Sequence, residues 1–176
     1  GGAVTRAAAH SQVIAVMSVG ADPAPLDAHR ATRGQEAVVP ELGKSWGWRA
    51  DGKNLILKLA EGVKWHDGKP FTAKDVVCTF DMLMGTSPNK FRKNPRKSWY
   101  ENVVDVTTNG AQEATFNLKR PQPALISLLA SGYTPVYPCH VSAADMRTKP
   151  VGTGPFKFFE FKANESIKLV RNPNYW

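Results

Sequence analysis

The chain has 176 residues, of which 42% are hydrophobic, enough for one compact domain with a core and too few for two large lobes. No apolar run approaches the roughly 18 residues of a membrane span, and residues 1–10 do not form an intact signal peptide, so we expect a soluble chain whose export signal, if it had one, has been removed. The net charge of +8 allows a nucleic-acid or membrane-surface partner. However, its dense basic run, Lys90–Lys97, is broken by Asn94 and Pro95 as in a solvated loop, and we expect no nucleic-acid site.

The first half of the chain predicts a strand, a hairpin and a helix. Residues 12–20 are rich in Val and Ile and run into a Pro-containing turn, a pattern typical of a strand that ends in a loop. Residues 46–59 predict a hairpin, because an Asp-Gly turn precedes alternating leucines. A short strand is predicted at 63–65. Thr72-Ala73-Lys74-Asp75 has the form of a capping box, which predicts the start of a helix that ends at 85–88.

The second half predicts two more hairpins around a short helix. Val104 and Val106 alternate ahead of an Asn-Gly turn and a second alternating run at 114–118. Two prolines open a helix over 124–130, and residues 156–171 form a closing hairpin. Because strands and helices do not alternate regularly, the predicted fold class is α+β, with a mixed, largely antiparallel sheet and flanking helices.

The sequence contains no recognisable catalytic or metal-binding arrangement, so we expect a protein that is not an enzyme and needs no metal or cofactor. Its four histidines are scattered singly. His66-Asp67 lies in a Gly- and Pro-rich turn, where Asp most often bonds to its own backbone. Gly152-Thr153-Gly154 lacks the remaining residues of a nucleotide motif and is interpreted as a sharp turn before a strand. Cys78 and Cys139 can form at most one disulfide, and whether they pair stays open.

Three segments carry a more specific signal, in the order 39–77, 114–121 and 150–176. The first runs from VPELGKSWGW to EGVKWHDGKPFTAKDVV, the second reads ATFNLKRP, and the third runs from PVGTGPFK to RNPNYW. Together they resemble the bacterial extracellular solute-binding proteins of family 5, the peptide/nickel type; the Asp22-Pro23 to Leu26-Asp27 turn is a weaker match. Members of that family are considerably longer. Residues 1–176 are therefore expected to form a single lobe of a type II periplasmic binding protein-like fold, without the second lobe and the C-terminal return.

The resemblance implies the substrate-binding component of an ABC importer, which captures an oligopeptide or dipeptide in a cleft and delivers it to a membrane permease. It implies a periplasmic protein or, in a Gram-positive host, an extracellular lipoprotein anchored to the membrane. A companion lobe or chain would supply the opposite wall of the cleft. The alternative is a truncated lobe that acts as a protein-interaction or regulatory module. Candidate ligand-binding residues lie in three loops: Ala21, Asp22, Pro23, Ser87, Asn89, Phe91, Gly152, Thr153 and Gly154.

Overall fold

The computed structural model describes residues 17–21, 36–88, 95–131 and 133–176. The strands are β1 (Met17–Ala21), β2 (Glu36–Pro40), β3 (Gly43–Trp48), β4 (Asn54–Leu59), β5 (Val103–Thr108), β6 (Glu113–Leu118), β7 (Phe156–Lys162) and β8 (Ser166–Arg171). The helices are α1 (Ala73–Met84), a 3-10 helix (Lys97–Tyr100), α2 (Leu125–Ala130) and α3 (Asp145–Thr148). The strands form three antiparallel sheets, β1-β2, β3-β4-β6-β5 and β7-β8. The predicted α+β class is confirmed.

The core lies between α1 and the four-stranded sheet. Alternate residues of β4 and β6 point to the same face, which buries Leu55, Leu57, Leu59, Ala114, Phe116 and Leu118. From α1, the ring of Phe80 packs edge-to-face on Phe116 and on Tyr100, with ring centroids 4.6 and 5.3 Å apart. The antiparallel pairing of β3 with β4 and of β5 with β6 confirms the two hairpins that were predicted from alternation.

Helix α1 begins and ends where its capping residues predict. The Thr72 amide donates to Asp75 Oδ2 at 2.9 Å, completing the capping box. Asp75 is buried, and its carboxylate also accepts from the Trp65 indole N–H at 3.3 Å and from the Cys139 amide at 2.9 Å. Gly85 ends the helix with φ of 77°, a conformation that glycine adopts without strain.

Cys78 and Cys139 form a disulfide that settles the open question of their pairing. Their Cα atoms are 5.6 Å apart and their sequence separation is 61. The bond therefore ties α1 to the loop after α2, close to the hydrogen bond between the Cys139 amide and Asp75.

Two local predictions differ from the structure. Val104 is 55% exposed, because a bulge between Val103 and Asp105 shifts the register and buries Val103 with Val106 instead. The predicted strand at 63–65 is a single antiparallel bridge from Lys64 to Pro70. The predicted first strand is described only from Met17 onward. No helix in the described ranges is long and apolar enough to cross a bilayer.

Candidate functional site

The structure describes only part of the predicted ligand-binding set. Ala21 ends β1, where it pairs with Glu36 of β2. Ser87 is half-buried just beyond α1, and its amide donates to the Asp81 carbonyl at 3.2 Å. The other members of the first two loops, Asp22, Pro23, Asn89 and Phe91, lie outside the described residues. These residues stay predictions.

The third predicted loop, Gly152-Thr153-Gly154, is buried; we call it the glycine loop. It is tied to the turn at His66. The His66 amide donates to the Gly152 carbonyl at 2.8 Å, and the Gly152 amide donates to Nδ1 of the imidazole at 3.1 Å. Nε2 of the same ring lies 2.9 Å from the Gly154 carbonyl. One histidine therefore holds both ends of the glycine loop.

The last residues of the sequence also bond to the glycine loop. The Asn172 side-chain amide donates to the Gly154 carbonyl at 3.1 Å, and the Trp176 indole N–H donates to the Thr153 carbonyl at the same distance. Tyr175 and Trp176 are 45% and 40% exposed, with ring centroids 5.7 Å apart. The buried loop is thus bordered by an aromatic pair that faces solvent.

Thr153 stands out within the glycine loop. The residue is fully buried, yet its hydroxyl oxygen has no hydrogen-bond partner in the described part of the chain. The large majority of buried polar side-chain atoms in proteins are paired, and an exception calls for an explanation such as a functional role.

The surroundings of His66, above all its burial, favour its neutral form. Burial lowers the pKa of His66, the Gly154 carbonyl raises it, and the ammonium of Lys157, whose Nζ donates to the His66 carbonyl at 3.1 Å, lowers it further. Partial burial disfavours ionisation of Asp67, but the hydrogen bonds from His140 and from the Lys69 amide outweigh it, so the pKa of Asp67 is lowered.

The interpretation of Asp67 as a turn residue is correct but incomplete. Asp67 Oδ1 accepts from the Lys69 amide at 3.2 Å, as expected for a turn. Its Oδ2 also lies 2.5 Å from Nε2 of His140, in the loop that carries the disulfide. The turn at His66 and Asp67 therefore joins two segments that are distant in sequence.

Two of the predicted loops lie at opposite ends of α1. The glycine loop bonds to His66, next to Trp65, whose indole binds Asp75 in the first turn of the helix. Ser87 follows the other end. A helix of 12 residues is roughly 18 Å long. Ser87 and the glycine loop are therefore separated by about the length of the helix, and a ligand touching both would have to span it.

No pattern in the sequence predicted that His66, Asn172 and Trp176 bond to the glycine loop. All three lie in segments that carry the resemblance described above, which is the signal that could have singled them out. The bonds of His66 to the loop, however, join residues 86 and 88 positions apart. Local patterns do not report such pairings.

The hairpin β7–β8 also exposes apolar side chains. Phe156, Phe159 and Val170 are 48%, 65% and 44% exposed. On the side towards α3, a shallow groove is lined by Met146, Pro150, Phe158, Phe161 and Ile167 among others. Exposed apolar side chains of this size on one hairpin are candidates for a surface that another structure covers.

Comparison with known proteins gives a consistent picture. Residues 37–176 match the sequence model described as bacterial extracellular solute-binding proteins, family 5 Middle. The oligopeptide-binding protein AppA of Bacillus subtilis is 38% identical over 130 residues, covering 68% of this chain and 23% of AppA. The peptide transport periplasmic protein SapA of Haemophilus influenzae is 29% identical over 180 residues, covering 79% of this chain and 32% of SapA.

Solved structures agree with the sequence comparisons. AppA in complex with a nonapeptide superimposes with a TM-score of 0.74 at 30% identity, over 94% of this chain and 31% of AppA. A dipeptide-binding protein from Pseudoalteromonas sp. SM9913, in complex with Met-Leu, has a TM-score of 0.79 at 20% identity, over 100% of this chain and 36% of that protein. The second match shows the shared fold alone. The chain spans about a third or less of the length of the curated relatives it matches.

Proposed function

Because the chain belongs to family 5 of the bacterial extracellular solute-binding proteins, we propose that it is part of the substrate-binding component of an ABC importer and captures an oligopeptide or dipeptide. The observation that carries the proposal is the family match over residues 37–176, which includes both His66 and the glycine loop. AppA, the relative at 38% identity, is named an oligopeptide-binding protein, and its structure holds a nonapeptide. The family is one of binding proteins, and the proposed role is binding without a chemical step.

The described residues contain features suited to holding a peptide. Within the described ranges β7 and β8 pair only with each other, so each strand keeps one edge of unpaired backbone groups. An extended peptide can bind to such an edge through its main chain, leaving side-chain pockets to set preference. Tyr175 and Trp176 offer exposed aromatic surface for apolar side chains of the solute.

The second wall of the cleft comes, in this proposal, from polypeptide outside these 176 residues. AppA is about four times as long as the part this chain covers. The exposed apolar side chains of β7–β8 are where further structure can pack. Closure of the two walls would then bury the solute, and the closed protein would dock on the permease in the membrane.

We propose that the protein acts outside the cytoplasm: in the periplasm or, in a Gram-positive host, as an extracellular lipoprotein anchored to the membrane. The disulfide between Cys78 and Cys139 supports this compartment, because disulfides persist in oxidising environments and are rare in the cytosol.

Native mass spectrometry tests the proposal. The purified protein is titrated with an equimolar pool of synthetic di-, tri-, tetra- and pentapeptides, and the masses of the bound species are recorded. We expect adducts of peptide mass that disappear on denaturation. Spectra that show only the bare chain at millimolar peptide would contradict peptide capture by this part of the protein.

A conservative variant tests whether the glycine loop takes part. In Thr153→Val the hydroxyl is lost, and because it is buried without a partner in the described chain, the variant should be no less stable than the unmodified protein. If the hydroxyl binds the peptide, the Kd of the best peptide rises roughly 3- to 10-fold, the worth of one neutral hydrogen bond. Thr115→Val on β6 is the matched control and should leave the Kd unchanged. Equal affinity of all three proteins would contradict a role for the Thr153 hydroxyl.

A further inference from the structure

The two hydrogen bonds at the His66 ring determine its protonation state. A backbone amide can only donate, so Nδ1, which the Gly152 amide meets at 3.1 Å, must carry a lone pair. A carbonyl oxygen can only accept, so Nε2, at 2.9 Å from the Gly154 carbonyl, must carry the proton. The neutral imidazole with its proton on Nε2 is the form that satisfies both bonds.

We propose that His66 is the positioning residue of the glycine loop, and that its side chain accepts from the Gly152 amide only as the neutral Nε2–H imidazole, whereas the bond from the His66 amide to the Gly152 carbonyl does not depend on the state of the ring. Protonation would place an N–H on Nδ1, directly facing the N–H of Gly152. Two donors cannot bond to each other, so the Gly152 amide would lose its partner while the bond to Gly154 remains. Acidification therefore removes one of the two hydrogen bonds at the Gly152 end of the loop, while the backbone bond there and the bond to Gly154 remain.

The groups around His66 set the pH range of this change. Burial is the largest effect and lowers the pKa of His66; Lys157 acts in the same direction, and the Gly154 carbonyl and the Asp67 carboxylate oppose them. Asp67 in turn is paired with His140. With the pKa of folded His66 below the usual 6.5, the ring is neutral at pH 7. Its contribution to stability is complete above about pH 6.5, the pKa in the unfolded chain, and is lost as the pH falls through the folded value.

The consequence for solute rests on the proposed function: if the glycine loop contributes to peptide binding, affinity falls on acidification. The positioning role itself is tested without any solute, so either proposal can fail while the other stands.

Nuclear magnetic resonance of protein labelled with ¹⁵N supplies the test. Long-range ¹H–¹⁵N spectra of the imidazoles should show His66 as the Nε2–H tautomer at pH 7.5. The Gly152 amide signal should shift with the same midpoint as the His66 ring, below pH 6.5. Below this midpoint, hydrogen exchange of the Gly152 amide, corrected for its intrinsic rate, should be roughly 3- to 10-fold faster than above it, which corresponds to the loss of one neutral hydrogen bond.

Two variants separate positioning from general packing. In His66→Gln the side-chain amide offers both an acceptor and a donor and does not titrate, so the Gly152 signal should lose its pH-dependent shift. In His140→Gln the ring of His66 is intact, and the shift should persist. An Nδ1–H tautomer, a Gly152 amide that ignores the titration of His66, or a shift that survives in His66→Gln would overturn the proposal. If His66→Gln fails to fold, the tautomer and the shared midpoint in the unmodified protein decide.

Discussion

Loss of the disulfide between Cys78 and Cys139 is predicted to cost the protein a large part of its stability. The perturbation is the double variant Cys78→Ala with Cys139→Ala. Cys139 is exposed and Cys78 half-buried, so replacing the sulfurs removes little packing. The expected loss therefore arises mainly from the greater freedom of the unfolded chain.

The magnitude follows from the size of the closed loop. The two cysteines are separated by 61 positions. Loop closure in the chain-entropy treatment is worth about 2.1 plus 1.5R ln n in cal/mol/K, which for a loop of this size gives about 4 kcal/mol at 25 °C. Since small domains are stable by about 5–15 kcal/mol, the variant should unfold at much lower denaturant concentration.

Urea unfolding followed by far-UV circular dichroism measures the loss. The double variant should be less stable by about 4 kcal/mol. Adding a phosphine reductant should destabilise the unmodified protein by a similar amount and leave the double variant unchanged. A double variant within about 1 kcal/mol of the unmodified protein would refute the entropic argument, which predicts about 4. Two free thiols in the unreduced, denatured protein would refute the disulfide itself.

Three further predictions concern the core, the cap of α1 and the loss of stability at high pH. Phe116→Ala removes a fully buried ring and should lower the free energy of unfolding in urea by about 3–5 kcal/mol. Val104→Ala changes an exposed side chain and should lower it by less than about 0.5 kcal/mol. Equal losses would mean that Val104 is buried, which would contradict the bulge in β5. Asp75→Asn weakens the hydrogen bonds that the carboxylate accepts from three N–H donors and should lower the free energy of unfolding by about 1.5–3 kcal/mol. An unchanged midpoint of urea unfolding would contradict the buried cap. Burial raises the pKa of Tyr100, partly offset by its hydrogen bond with Thr134, so its contribution to stability is present below about pH 10 and is lost as pH rises through the folded value. Tyr100→Phe should flatten the fall in stability between pH 9 and 11, and an unaltered slope would count against this assignment.

Much of the fold was predictable because its signals are local. The capping box at Thr72 and the glycine at position 85 define α1, and alternation in β4 and β6 identifies the buried face. The bulge that exposes Val104 was not predictable, because it depends on how β5 aligns with its neighbour and on no residue within β5 alone.

The candidate site was predictable to a smaller extent. The glycine loop was singled out from the sequence, and its role in binding stays a prediction. Its attachment to His66 was missed, since a histidine in a turn of Gly and Pro residues has an ordinary local explanation. Only the pairing of positions 66 and 152–154 shows that this turn also positions another segment.

The sequence by itself indicated the family through the resemblance of three segments, and it determined the fold class and the limits of most elements because capping, turn residues and alternation act over a few neighbouring residues. The tertiary structure decided which distant groups meet: the disulfide from Cys78 to Cys139, the pair of Asp67 with His140, and the hold of His66 on the glycine loop. These contacts join residues 61 to 88 positions apart. They form because α1 and the sheet pack together and bring the segments at the start of the helix within hydrogen-bonding reach, which no local pattern encodes.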